Sequence, residues 1–372
     1  MANLFIIGNG FDLAHGMKSS YNAFKKYLQN YCGYNSMSKL EVPHIYKNGR
    51  DCNDADAAKM LIKLISIVEN GENWCDLENS LGHIDYSRFF DNDNMEEYNE
   101  KIAEGLEISI LKIKYFFEKW ITSLDSSQIR PLSSFKKFIN IDKDYFLTFN
   151  YTALLENIYG AKKVCHVHGN DSGNIIFGHG VDHPLKLEIN SKLKNEKGRL
   201  FNIREEDIPN NSLSYLTSKD IKRCLYEINF SDDAREVLLR NQLLYFASAL
   251  KEKEKEHRNV IQESYTKWNN EYLDTIELHI QRIHTLLRKD TFSGLKNVIS
   301  FINREHCFDI DKVYSIGFSY SDVDMKVIQL VRMFLPTYWY IDNYSPKKTI
   351  EYIKKLRKIY RGQIEKFSFH NL

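Results

Sequence analysis

Residues 313–367 read VYSIGFSYSDVDMKVIQLVRMFLPTYWYIDNYSPKKTIEYIKKLRKIYRGQIEKF. Three short apolar runs, Val313 to Ile316, Tyr338 to Ile341 and Ile364 to Phe367, are separated by two stretches with helical spacing, Val323 to Phe334 and Pro346 to Tyr360. Alternation of this kind signals βαβ units and therefore a parallel sheet. At the other end of the chain, Leu4 to Ile7 is a continuous apolar run stopping at Gly8, the pattern of a strand buried on both faces. Tyr145 to Thr148, Val164 to Val167 and Ile175 to Phe177 read as further strands. The stretches between are helical. Ile102, Leu106, Ile110, Ile113, Phe117, Trp120 and Leu124 follow one another at spacings of 3 or 4, as do the apolar positions 261, 265, 268, 272, 276, 280, 283 and 287. The expectation is an α/β parallel sheet interrupted by two large helical insertions. Its core comprises residues 1–20, 140–182 and 296–372, and the insertions span 21–139 and 183–295.

Composition narrows the function classes. The 372 residues carry 51 Lys and Arg against 50 Asp and Glu, and a net charge of +1 supplies no global field for a phosphate backbone. Dedicated nucleic-acid binding is disfavoured. The most basic local surface is the helix at 346–361, with seven Lys or Arg against Glu351 alone, which reads as a solvated face, as does the charge run KEKEKEHR at 251–258. The six cysteines include no C-x-x-C pair, which removes the usual structural zinc spacing and the thioredoxin-type motif and leaves reduced thiols as the expectation. The opening residues lack a signal-peptide pattern and no run reaches the ~20 apolar residues of a membrane helix. A cytoplasmic, soluble chain is expected.

Four clusters fall at the carboxyl ends of these strands, where open parallel sheets bind ligands. Gly8-Asn9-Gly10-Phe11-Asp12 places two glycines where backbone N–H groups can approach a phosphate, or alternatively forms a tight turn with no ligand. Its spacing misses the G-x-G-x-x-G dinucleotide fingerprint, because position 13 is Leu and the next glycine is Gly16. Thr148-Phe149-Asn150-Tyr151-Thr152, with Glu156 beyond it, offers a planar amide suited to a ribose hydroxyl or a held water; the alternative for Asn150 is a helix N-cap. His166-Val167-His168-Gly169 precedes Gly178-His179-Gly180 and His183. On a strand, residues 166 and 168 share a face, which suits a general base or half of a metal site. A third ligand would have to come from His179, Asp182 or His183, and the H-x-H-x-D-H spacing of metallo-hydrolases is absent. Gly317-Phe318-Ser319-Tyr320-Ser321-Asp322 is a Gly turn able to admit an adenosine moiety, with Ser321 or Asp322 as helix caps.

Residues 3–24, NLFIIGNGFDLAHGMKSSYNAF, resemble the N-terminal signature of the AbiH family of bacteriophage abortive-infection proteins, and Trp74-Cys75-Asp76-Leu77-Glu78 resembles that family's W-x-D-L-E segment. More distantly, GNGFD, TFNYT, HVHG and GFSYSD are similar to the blocks of sirtuin-like NAD-binding domains. The resemblance implies a Rossmann-like, sirtuin-like sheet that binds NAD and cleaves its nicotinamide-ribose bond in phage defence. Carried over, Gly8, Asn9, Gly10, Phe11, Thr148, Gly317, Ser319 and Asp322 would bind the dinucleotide, Asn150 would hold the ribose or the attacking water, and His168 would be the general base. Asp12 stands where the sirtuin-like block has a small Ser and Thr152 where it has an Asp, so the nicotinamide end differs, and the zinc module of deacetylating sirtuins is missing. Protein deacetylation is not expected.

The chemistry suits these residue types. Breaking the glycosidic bond to nicotinamide develops oxocarbenium character, which Asp12 can stabilise, while the leaving group departs neutral and needs no strong acid. A positioned amide and a neutral histidine supply the rest. Two other readings stand beside the hydrolase: a nucleotide-binding sensor that signals through a partner, and a metal-dependent hydrolase or nuclease using His166, His168 and His179. The NAD reading calls for no metal. Trp74 and Glu78 are lid or supporting candidates, or simply a packed aromatic and an exposed carboxylate. The long apolar stripes predict a homo-oligomer, and a lethal activity predicts a phage-derived activator.

Overall fold

Leu4 to Ile7 are all buried, and a strand with no polar face needs parallel neighbours and cover on both sides. In the computed structural model, which describes residues 2–33, 54–69, 74, 76–86, 89–90, 96–171, 173, 175–180, 275–307 and 310–369, β1 (Ala2–Ile7) has both. It pairs in parallel with β2 (Tyr145–Thr148) on one side and β4 (Ile310–Ile316) on the other. With β3 (Val164–His166), β5 (Tyr338–Asp342) and β6 (Gln363–Phe367) they form an open, all-parallel sheet in the order β3-β2-β1-β4-β5-β6. The chain fills positions leftward from β1 to β3 and then resumes at β4 on the other flank. The order thus reverses between β1 and β4.

Alternation along β1 divides the core. Leu4 and Ile6 pack among residues of α8 (Thr291–Glu305), α9 (Met325–Val331) and α10 (Pro346–Arg357), including Leu295, Val298, Ile328 and Leu356. Phe5 and Ile7 face the other way, toward Phe11 of α1 (Asn9–Ala14), Phe135 of α6 (Ser133–Phe138) and Phe369. On that face Phe146, Phe5, Tyr314 and Tyr340 stack in a row across four strands, with centroids 5.2, 5.2 and 4.7 Å apart, and each pair lies in register. Cross-strand aromatic pairs of this kind hold the register.

A separate helical core joins α2 (Tyr21–Cys32), α3 (Asp54–Val68), α4 (Leu77–Leu81), α5 (Glu96–Thr122) and α7 (Thr275–Leu286). The α5 stripe lies in it as expected. So does the described end of the second stripe, where Ile280, Ile283 and Leu287 are buried in the same core as α5, with which α7 packs. That end is therefore covered within the chain; positions 261–272 and the charge run at 251–258 lie outside the described residues. Among the described residues no helix is long and apolar enough to cross a membrane.

Two local expectations are corrected. Ile175 to Phe177 is not a strand. The Ile176 N–H donates to the His168 carbonyl at 2.8 Å, and the side chain of Phe177 stacks on Phe117 at 4.0 Å, so this apolar run serves the helical core. The helix after β4 starts at Met325, with residues 322–324 forming a turn, and Ser321 Oγ bonds the Asp324 carboxylate at 2.7 Å.

Candidate active site

Open parallel sheets bind ligands outside the carboxyl ends of their strands, at the point where the order reverses. Here that point is the junction of the loops after β1 and β4. The Gly8 N–H donates to Ile316 O and the Gly10 N–H to Gly317 O, both at 3.0 Å, and the Phe11 N–H donates to Gly8 O at 2.9 Å. A Cβ on Gly8 would stand 2.5 Å from Gly317 O, one on Gly10 2.6 Å from Gly317 Cα, and one on Gly317, whose φ is +59°, 2.4 Å from Phe11 N. Close approach of one loop backbone to the other accounts for these glycines. The amides that a phosphate nest would use already serve that contact.

Beside the junction, the second cluster meets the first. Asp12, buried on α1, accepts from Asn150 Nδ2 at 2.7 Å and from Thr152 Oγ1 at 2.6 Å. Asn150 Nδ2 also reaches Gly8 O at 3.1 Å, and its backbone N–H donates to Thr148 Oγ1 at 3.1 Å. Asn150 is thus a bridge between the β1 and β2 loops. Burial pushes the Asp12 carboxyl up to about 7, against the opposing pull of its two hydrogen bonds. Asn150 Oδ1 is buried and has no hydrogen-bond partner among the described residues. An unpaired buried acceptor calls for a donor such as a hydroxyl or a water.

The two histidines of HVHG separate. Strand β3 ends at His166, and a turn closed by the Gly169 N–H on His166 O follows, so the period-two argument for a shared face fails. His166 Nε2 pairs with Glu156 Oε1 at 2.7 Å, where a π-helical turn (Leu155–Tyr159) carries Glu156. His168 Nε2 instead pairs with Asp324 Oδ1 at 3.0 Å. The Phe149 ring stands nearly perpendicular to that of His168 with centroids 5.3 Å apart, and the Tyr151 ring centroid lies 6.0 Å away.

Asp324 belongs to a buried charge network. Lys289, with a side chain only 1% exposed, stands 3.6 Å from Asp324 Oδ1 and 3.0 Å from Glu78 Oε2. The Tyr151 hydroxyl faces Glu78 Oε1 at 3.2 Å and Ile176 O at 3.1 Å. Burial opposes the charge on both main partners, yet Lys289 and His168 hold the Asp324 carboxyl well below its ordinary range, and Asp324 and Glu78 hold the Lys289 ammonium above its own. Burial first, then Glu78, pushes the Tyr151 phenol far up, so it remains a donor.

The structure thus joins Asp12 to Asn150 and gives His168 a different set of partners. Phe11 is buried among core aromatics, Thr148 is buried, Asn9 is exposed and bonded to Ser19, Ser319 is exposed, and the exposed Asp322 pairs with Lys355 at 3.2 Å. Trp74 is buried and donates through Nε1 to Ser66 Oγ at 3.0 Å, so it packs the helical core; Glu78 faces the site. His179 is buried 3.1 Å from His284 O, with its imidazole pushed down to about 4 by burial. The histidines of the metal reading therefore take separate partners, and no group of three or more potential ligands converges among the described residues. Asp182 and His183 lie outside them. Of the described cysteines, Cys165 and Cys307 are buried, each thiol pushed up to about 12 by burial. An open cleft of 350 Å³ lined by Lys114, Arg288 and Asn297 holds none of the expected catalytic side chains.

Sequence reasoning missed Asp324 and Lys289. Asp324 is the second acid after the Gly317 turn, at a strand's carboxyl end, and that placement was a usable signal. Lys289 sits in an ordinary-looking RKD triplet and carried none.

A family model described as bacteriophage abortive infection AbiH matches residues 4–335 of the chain. No curated protein and no solved structure matches it.

Proposed function

The chain belongs to the AbiH family of bacteriophage abortive-infection proteins, and from that premise we propose that this defence protein binds NAD and hydrolyses its nicotinamide-ribose bond. The observation that carries the reading is the unpaired, buried Asn150 Oδ1 beside the Asp12 carboxyl, at the reversal point of the sheet. A 3-2-1-4-5-6 strand order, which is that of Rossmann-like dinucleotide-binding sheets, supports it. Asn150 Oδ1 accepts from a ribose hydroxyl or from the attacking water. In its ionised form Asp12 stabilises positive charge growing at the anomeric carbon. As the C–N bond breaks, its electron pair returns to the pyridinium ring and nicotinamide leaves neutral. The water oxygen bonds to the anomeric carbon and its proton passes to His168, giving ADP-ribose and nicotinamide.

Purified protein incubated with NAD, with nicotinamide release measured by chromatography, tests this directly. Asn150→Ala and His168→Ala are each expected to lower turnover roughly 10²- to 10⁴-fold while remaining folded, and to abolish phage protection, whereas His166→Ala costs less. Near-normal turnover by folded His168→Ala would sink the assignment. The parallel measurement is cellular NAD before and after infection. A lethal hydrolase must be silent in healthy cells, so this reading includes a phage-derived activator and, through the helical insertions, a homo-oligomer whose mass light scattering would report.

One observation favours the sensor alternative: Asp12 and Thr152, the two positions that depart from the sirtuin-like blocks, are hydrogen-bonded to each other at 2.6 Å. If calorimetry detects NAD binding and no nicotinamide is released, even in infected-cell extract, the sensor reading takes its place.

A further inference from the structure

His168 does not stand alone. Its Nε2 meets Asp324 Oδ1 at 3.0 Å, its carbonyl accepts from the Ile176 N–H at 2.8 Å, and Phe149 and Tyr151 flank its ring. Asp324 Oδ2 accepts from Ser321 Oγ at 2.7 Å, so the carboxylate is itself held at both oxygens. Lys289 reaches both Asp324 and Glu78, and Tyr151 closes the circuit by donating to Glu78. From His168 through Asp324, Lys289 and Glu78 to Tyr151 the links are side chains in or beside the site. Such a chain resembles in its logic a base oriented by a third group.

Resting on the hydrolase reading of this site, we propose that Asp324 and Lys289 are positioning residues that hold His168 with its proton on Nε2 and present unprotonated Nδ1 as the base. Two features lead there. A carboxylate accepts only, so an imidazole that pairs with it must place N–H at the paired nitrogen, which leaves the lone pair on Nδ1. Among the described residues His168 Nδ1 takes no hydrogen bond. The charges agree: Glu78 and Asp324 contribute two negative charges and Lys289 one positive, so the imidazolium formed when Nδ1 takes a proton from water brings the cluster to neutrality. Lys289 has a distinct duty. It ties Asp324 to Glu78, at 3.6 and 3.0 Å, and so fixes the carboxylate that His168 Nε2 meets.

The test reads the ring itself. In full-length protein carrying ¹⁵N-labelled histidine, with the His168 signals assigned by their loss in His168→Gln, two-bond ¹H–¹⁵N correlation near pH 7.5 distinguishes the two tautomers and the imidazolium. The expected result is the Nε2–H tautomer in the wild type. In Asp324→Asn, which can pair through its amide with either ring form, the tautomers are expected to mix, and kcat to fall roughly 10²-fold or more with KM little changed. In Lys289→Gln, where Asp324 loses its tie to Glu78, the tautomers are likewise expected to mix. A wild-type ring protonated on Nδ1, or on both nitrogens, overturns the proposal, as does an Asp324→Asn protein with unaltered tautomer and turnover. Should Lys289→Gln fail to fold, the wild-type and Asp324→Asn spectra decide. An Nε2–H ring in a protein that never releases nicotinamide would refute the hydrolase reading and leave the assignment of the tautomer intact, so the two failures are separable.

Discussion

Asp12 shows what one buried carboxyl does to stability. Folded, it holds its proton up to about pH 7, whereas an unfolded aspartate releases it near 3.8, because burial outweighs the donors Thr152 and Asn150. Between those values the native state binds the extra proton, so stability falls as pH rises. The stabilisation is complete below about pH 4 and is lost on passing through about 7, a change of roughly 4 kcal/mol at 1.36 kcal/mol per unit. In Asp12→Asn the new amide can keep both contacts, its oxygen toward Asn150 and its nitrogen toward the Thr152 hydroxyl, but it has nothing to titrate. Urea unfolding at pH 5 and pH 8 should therefore show the variant gaining on the wild type with rising pH. Equal differences at the two pH values would refute the assigned burial penalty. On the hydrolase reading the opposite holds for activity: only ionised Asp12 can stabilise an oxocarbenium, so nicotinamide release should rise through about pH 7 and be lost in Asp12→Asn.

At the scale of elements, the loops after β1 and β4 act as one unit because their backbones touch at Gly8, Gly10 and Gly317. Gly317→Ala meets both a positive φ and backbone atoms that cannot move aside, and is expected to destabilise by at least about 2 kcal/mol. Gly16→Ala is the comparison: its φ is +79° but nothing lies within 4 Å of the added carbon, so only the conformational cost of about 1 kcal/mol applies. Denaturant midpoints at constant m decide between them. The elements themselves were largely legible. Five of the six strands follow from short apolar runs at the ends of the chain and around Tyr145, and β3 was one residue shorter than read. What failed was local and three-dimensional in origin. The Ile175 to Phe177 run is as apolar as a strand, and only the position of the helical core decides that it packs there. His166 and His168 were separated by a turn that no side-chain pattern announces. The carboxyl-edge placement of Asp12, Asn150 and His168 is readable, while their actual partners come from far along the chain: Asp12 meets Asn150 and Thr152, and His168 meets Asp324, which Lys289 in turn contacts.

The Glu78–Lys289–Asp324 network is also where the helical core and the sheet meet at the level of the whole molecule, since Glu78 lies on α4, Lys289 between α7 and α8, and Asp324 just before α9. A buried ion pair is weak evidence of net stabilisation, because desolvation offsets attraction, yet removing one partner leaves the other charge stranded. Lys289→Met strands two carboxylates and should cost about 3–5 kcal/mol in urea unfolding. Glu78→Gln leaves Lys289 its pair with Asp324 and should cost less, and the double variant should recover part of the loss, giving a coupling energy between the sites. Burial sets the salt dependence as well: the coupling should survive 1 M salt, where exposed charges are screened within about 3 Å. The Lys162–Asp142 pair, 71% and 69% exposed, is the internal comparison and should show no measurable coupling at that salt concentration. If Lys289→Met unfolds at the wild-type urea concentration, the helical core and the sheet are held together by apolar contact alone, and the network serves the site without serving the fold.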